Sequence, residues 1–228
     1  MVTSKYIMLF QTLILSQVLA SNSCPDIRLQ TDPPVNITEY IRSTWYIQQQ
    51  QVNGYQPKDQ LYCVTATYNK DNHSNVPFFN GTVISVYNYA NQGGVNGGNV
   101  APMPNNSYLC ARVPNASSPE KLYVAPCFLP NLFGGPYWIV LAGPSSSNYE
   151  WAIVSGGQPS VRESNYTCTT KEYGFMGSGL WLFSRKPVLE DENLRYLHYE
   201  LEKRNVSTSR LLNVSQVGCN YTGAFIKH

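Results

Sequence analysis

The stretch Leu180-Trp181-Leu182-Phe183-Ser184-Arg185-Lys186-Pro187 decides how this chain reads. It is a short run of large apolar residues, then two cations, then a proline that cannot continue a strand ladder. A strand puts successive side chains on opposite faces, so Trp181, Phe183 and Arg185 share one face, with Leu182 and Ser184 opposite. Beyond Pro187 the pattern changes. Glu190-Asp191-Glu192 suits the first turn of a helix, Lys203-Arg204 suits the last, and Leu194, Leu197 and Leu201 form one stripe. One α-helix is therefore predicted over about 189–204, packed by that stripe on something apolar. His198 lies one step off the stripe and reads as a surface histidine.

Upstream of 180–184 the same chemistry recurs. Residues 61–68 are β-branched and aromatic without Gly or Pro, and 82–89 repeat the pattern. Segments 107–113 and 121–128 flank Pro114-Asn115-Ala116-Ser117-Ser118-Pro119, and 137–142 and 149–155 flank Gly143-Pro144-Ser145-Ser146-Ser147-Asn148. Both linkers are hairpin signals, while Gly93, Gly94, Gly97 and Gly98 mark a flexible loop. With 45–50 at the start, the chain offers eight strands joined mostly to their neighbours. That spacing predicts an all-β antiparallel meander, as a sandwich or an up-and-down barrel.

Composition narrows the function. Charged residues are 13% of the 228, and the formal net charge is +2. So near-neutral a balance excludes a nucleic-acid binder that works by neutralising phosphates. Residues 1–20 read as a secretory signal peptide: Lys5, an apolar stretch, then Val18-Leu19-Ala20 for cleavage, leaving 21–228 as one soluble extracellular domain. The compartment fits two further features. Cys24, Cys63, Cys110, Cys127, Cys168 and Cys219 are even in number and widely spaced, which favours disulfides over zinc. Asn-x-Ser/Thr occurs at Asn36, Asn72, Asn80, Asn105, Asn115, Asn165, Asn205, Asn213 and Asn220. Roughly three such sites are expected by chance, so heavy N-glycosylation is expected.

Three motifs in order resemble those of the lipocalin family, most similar to its apolipoprotein D-like group. Ser43-Thr44-Trp45-Tyr46 is similar to the family's G-x-W-Y, with Ser43 in place of Gly. The segments 135–142 and 149–154 resemble the second motif region, without the Asp usual in its turn, and 180–187 closely resembles the third. The resemblance implies an eight-stranded antiparallel barrel with one C-terminal helix on its outside, and Arg185 lying across the Trp45 indole to close one end. It also implies Cys63–Cys219, tying down the tail, and Cys24–Cys168. Cys110 and Cys127 share outward parity on one hairpin and are placed opposite each other, so they are expected to pair.

Barrel parity then gives a candidate ligand wall. Val64, Ala66 and Tyr68 are assigned inward on the second strand, and Val83, Ser85, Tyr87 and Tyr89 by analogy on the third. The alternative third-strand face holds Ile84, Val86 and Asn88, and periodicity alone does not choose between them. Leu109, Ala111, Val113, Leu122, Val124, Tyr137, Trp181 and Phe183 complete the wall, with Trp138 on or near it. No catalytic constellation is present: there is no G-x-S-x-G, His73, His198 and His228 are scattered, and no cluster has metal spacing. No cofactor or metal is therefore expected. The expected function is an extracellular carrier of a small hydrophobic ligand of lipid, retinoid, sterol, carotenoid or bilin type. The alternative is an isomerase or synthase acting on a lipid or pigment in the same barrel, which would need an unpaired inward Cys or an inward acid.

Overall fold

A computed structural model describes residues 23–70, 76–100, 109–174 and 176–228. The expected signal peptide, His73, Asn72, Asn105 and the start of the fourth predicted strand lie outside them. Eight strands form the wall: β1 Trp45–Gln51, β2 Tyr62–Asn69, β3 Thr82–Gln92 and β4 Leu109–Val113. They are followed by β5 Lys121–Pro126, β6 Gly135–Ser145, β7 Asn148–Ser155 and β8 Leu180–Ser184. Each pairs antiparallel with the next, and β8 returns to β1 through Tyr46↔Ser184 and Ile47↔Phe183, closing the barrel. Closure leaves no free edge among these strands.

The register shifts at four places along the wall, and two of them decide which residues reach the core. The register shifts between Ile47 and Gln49, so Ile47 faces the core while Gln49 faces out, opposite Leu182. It shifts again between Ile139 and Leu141, so Ile139 and Ala142 both point inward. A bulge adds one unpaired residue and flips the alternation beyond it.

The helix, α2 Asp191–Glu202, is shorter than the predicted 189–204: Lys203 is its C-cap and Arg204 lies beyond it. Leu197 and Leu201 are fully buried, with Leu194 beside them. They pack outside β6–β8 against Val140, Trp151, Ile153, Leu180 and Leu182. This outer core also takes Trp138, whose ring carries Lys121 Nζ at 5.3 Å, so Trp138 is not on the inner wall.

The disulfides are Cys24–Cys168, Cys63–Cys219 and Cys110–Cys127, and no cysteine is free. The second holds a C-terminal strap across the outside of β1–β3. Gln216 Nε2 donates to the Ile47 and Val64 carbonyls, Thr67 Oγ1 to the Phe225 carbonyl, and Lys227 N to Thr44 Oγ1. On the opposite wall Arg112 is fully buried. Its Nη1 donates to the carbonyls of Cys110 (2.8 Å) and Ala125 (3.1 Å), its Nη2 to those of Pro126 (2.9 Å) and Leu129 (2.8 Å). It thereby braces the loop that follows β5, beside the Cys110–Cys127 bridge.

Candidate functional site

The strands run alternately between two ends of the barrel, and the two ends differ. At the end where β1 begins and β8 stops, the Arg185 guanidinium lies 3.4 Å from the centroid of the Trp45 ring. It donates to the carbonyls of Tyr40 (2.8 Å), Glu39 (3.1 Å) and Tyr149 (3.1 Å), and to that of Ser43. A short helix, α1 Ile37–Tyr40, supplies two of those acceptors. Its N-cap Asn36 accepts from Glu39 N, and the Asn36-Ile37-Thr38-Glu39 spacing is a capping signal in the sequence. Burial lowers the Arg185 pKa to about 10, and the Arg42 cation adds to the shift; it stays charged at neutral pH. Cation, indole and carbonyls together seal this end.

Just inside the seal stand three tyrosines. Tyr137 Oη lies 2.7 Å from Tyr40 Oη and 2.8 Å from Tyr68 Oη. The Tyr40 ring leans on Trp45 with centroids 5.3 Å apart, and Tyr68 on Tyr137 at 6.2 Å. Desolvation pushes all three pKa values well above the ordinary tyrosine value, so all three phenols are neutral at physiological pH. Tyr40 entered the cluster from α1, an element that hydrophobic periodicity is too short to show.

Above this floor the inner core is apolar: Val64, Ala66, Ile84, Val86, Ala111, Val113, Leu122, Val154 and Phe183, with Leu109, Val124, Tyr137 and Trp181 packed against it and less covered. The second, fourth, fifth and eighth strands thus face as expected. The third does not. Ile84, Val86 and Ala90 point inward, whereas Val83 pairs with Arg112 and Ser85 with Cys110, both on the outer side. Tyr87 stacks on Phe225 with centroids 4.9 Å apart, and Tyr89 Oη donates to the Thr222 carbonyl. Val83, Tyr87 and Tyr89 therefore leave the inner wall. The strap gives the outer aromatics an apolar cover, which alternation within the strand cannot foresee.

Tyr55 was missed by sequence reasoning, since a loop residue between β1 and β2 has no period to betray it. It has 67% of its surface open, yet desolvation raises its hydroxyl pKa and Tyr68, deep in the barrel, raises it further. Tyr137 shows the same combination of uncovered surface and strong desolvation. The apolar inner wall ends on the three-tyrosine floor. Nothing in its described lining is a thiol, and no His/Cys/Asp/Glu group among the described residues could hold a metal.

Outside the barrel His198 Nε2 lies 2.5 Å from Gln49 Oε1, and Gln49 Nε2 donates to Asn213 Oδ1 at 2.7 Å. Burial lowers the His198 pKa and Glu202 partly offsets it. This histidine is half-buried and partnered, more than a surface residue.

No protein-family profile matches the chain, and no curated protein matches it. Solved structures do resemble it. Apocrustacyanin C2 superposes with a TM-score of 0.53 at 18% identity, over 89% of this chain and 96% of that one. Insecticyanin from the tobacco hornworm Manduca sexta gives 0.52 at 15%, over 87% and 90%. The cockroach allergen Per a 4 gives 0.51 at 17%, over 88% and 98%. At such identities the likeness is one of fold: a closed eight-stranded antiparallel barrel with one C-terminal helix, the lipocalin architecture.

Proposed function

We propose that this protein is an extracellular carrier of the apolipoprotein D-like kind, enclosing one small apolar molecule in its barrel. The observation that carries the reading is the closed eight-stranded barrel with an apolar inner wall, sealed at one end by Arg185 over Trp45. An eight-stranded barrel has just enough interior for such a ligand. Three disulfides and seven described sequon asparagines, Asn36, Asn80, Asn115, Asn165, Asn205, Asn213 and Asn220, all exposed, support passage through an oxidising, glycosylating compartment. The pairing of every cysteine withdraws the thiol that an enzyme on this barrel could have used. Native mass spectrometry of protein from its own source tests the reading: one co-purifying apolar molecule per chain is expected. Titration with retinoids and fatty acids should quench Trp181 emission saturably. A barrel that co-purifies empty and leaves its emission unchanged across that panel overturns it.

A further inference from the structure

Resting on that carrier reading, the hydrogen-bond count at the floor names the chemistry of the ligand. Tyr40, Tyr68 and Tyr137 bring three hydroxyl protons to two oxygen–oxygen contacts. Each contact consumes one proton, so one is always left over. If Tyr137 accepts from both neighbours, its own proton turns away from them. If it donates to one neighbour, that neighbour's proton is the one unspent. No other side chain or carbonyl among the described residues lies within hydrogen-bonding distance of the three hydroxyls. The surrounding wall of Val64, Ala66, Val86, Ala111 and Phe183 offers no side-chain acceptor. A buried donor without an acceptor is costly, so a native site that keeps one invites a partner.

The position of the spare proton follows from exposure. Tyr40 and Tyr68 are 2% and 3% open, whereas Tyr137 keeps part of its surface uncovered. Tyr137 is thus the least covered of the three where they meet the apolar interior. Charge points the same way. Arg42 is matched by Glu39 and Glu150. Arg185 and Lys227 end on main-chain carbonyls, and Lys227 Nζ reaches those of Ile41 (2.7 Å) and Tyr68 (3.4 Å). The field beneath the tyrosines is positive and favours an electron-rich atom above them.

We propose that the barrel receives its ligand oxygen-first: an apolar molecule ending in a carbonyl or carboxylate, whose oxygen accepts the spare proton of the Tyr40–Tyr137–Tyr68 cluster. The test uses the full glycosylated protein and three probes of one shape: all-trans retinal, retinoic acid and axerophthene, the hydrocarbon without oxygen. Retinal should bind about 3- to 10-fold tighter than axerophthene, the range of one neutral hydrogen bond, and retinoic acid by more than ~10-fold if the terminus is a carboxylate. Tyr137→Phe should bring the retinal-to-axerophthene ratio close to one while axerophthene affinity holds within about twofold. Should that variant not fold, tyrosine labelled with ¹³C at Cζ in the unmutated protein replaces it, and retinal but not axerophthene should shift the Tyr137 resonance. Equal affinity for retinal and axerophthene, or a Tyr137 resonance indifferent to retinal, overturns the oxygen-first inference and leaves the carrier reading standing. Failure of all three probes to bind overturns both.

Discussion

Arg112→Met replaces a fully buried cation by a shorter apolar chain, and its cost can be worked from the contacts. Four carbonyls lose donors at 2.8 to 3.1 Å. That of Pro126 keeps the Leu129 N–H at 3.0 Å, and that of Leu129 lies in a surface loop and can turn to water. Those of Cys110 and Ala125 sit in paired strands and cannot. An orphaned buried acceptor costs about 1–3 kcal/mol, so the two strand carbonyls together cost about 2–6 kcal/mol. Against this, the variant no longer desolvates a guanidinium, a burden large enough to lower the pKa of Arg112 in the folded protein. The balance is a loss of about 2–4 kcal/mol, or a fall in Tm of about 5–15 °C for a domain of this size. Urea unfolding without reductant, with m unchanged, measures it, and hydrogen exchange should quicken selectively in residues 127–134. A variant within about 1 kcal/mol of the parent, or more stable, refutes the reasoning. It would mean that desolvation outweighs the four bonds, and that the loop is held by Cys110–Cys127 alone.

Other perturbations have equally definite outcomes. Because the folded-state pKa of His198 lies below its unfolded value, the unfolded chain binds more protons on acidification. Tm should therefore fall as pH drops from 7.5 through 6.5 and level off below the folded pKa, and His198→Gln should flatten that slope. An unchanged slope in the variant would assign the acid sensitivity elsewhere. Gly179 has φ +102°, and a Cβ there would meet the Trp181 ring at 2.0 Å, so Gly179→Ala should cost about 2–4 kcal/mol in urea unfolding. Removing Cys63–Cys219 by paired Ser substitution opens a loop of 156 residues. Chain entropy sets the loss at up to about 5 kcal/mol, and limited proteolysis should then release the strap first. A strap that stays protected would show its hydrogen bonds to be sufficient.

What was legible in the sequence follows from where the determinants lie. Residues 180–187 and 43–46 hold both halves of the seal, so local alternation put Arg185 on the face of Trp181 and Phe183, and resemblance brought it to Trp45. Val64, Ala66, Tyr68, Leu122 and Val124 sit on strands whose outer side is plainly more polar or carries a cysteine, and their inward placement could be read. β3 could not be read, because both faces are apolar. What decides between them is a strap more than 130 residues downstream in the chain. The bulge at Gln48 hid that Gln49 turns outward to meet His198. Tyr55 lies in a loop and Tyr40 in a four-residue helix, so neither carries a periodic signal. The capping spacing from Asn36 to Glu39 was the one trace of the latter.

The two long-range disulfides have a mechanical consequence. Pulled from its ends, the oxidised chain carries load from the Cys24–Cys168 bridge to the Cys63–Cys219 bridge by the shortest covalent route, the 39 residues between Cys24 and Cys63. At about 3.3–3.6 Å per residue, that segment can lengthen to roughly 130–140 Å and no further. Strands β2 through β8 all lie on the longer, slack routes. Strand β1 lies on the loaded route, so force would enter the wall there, at its ladders with β2 and β8, while the other seven strands stay slack until the bridges are reduced.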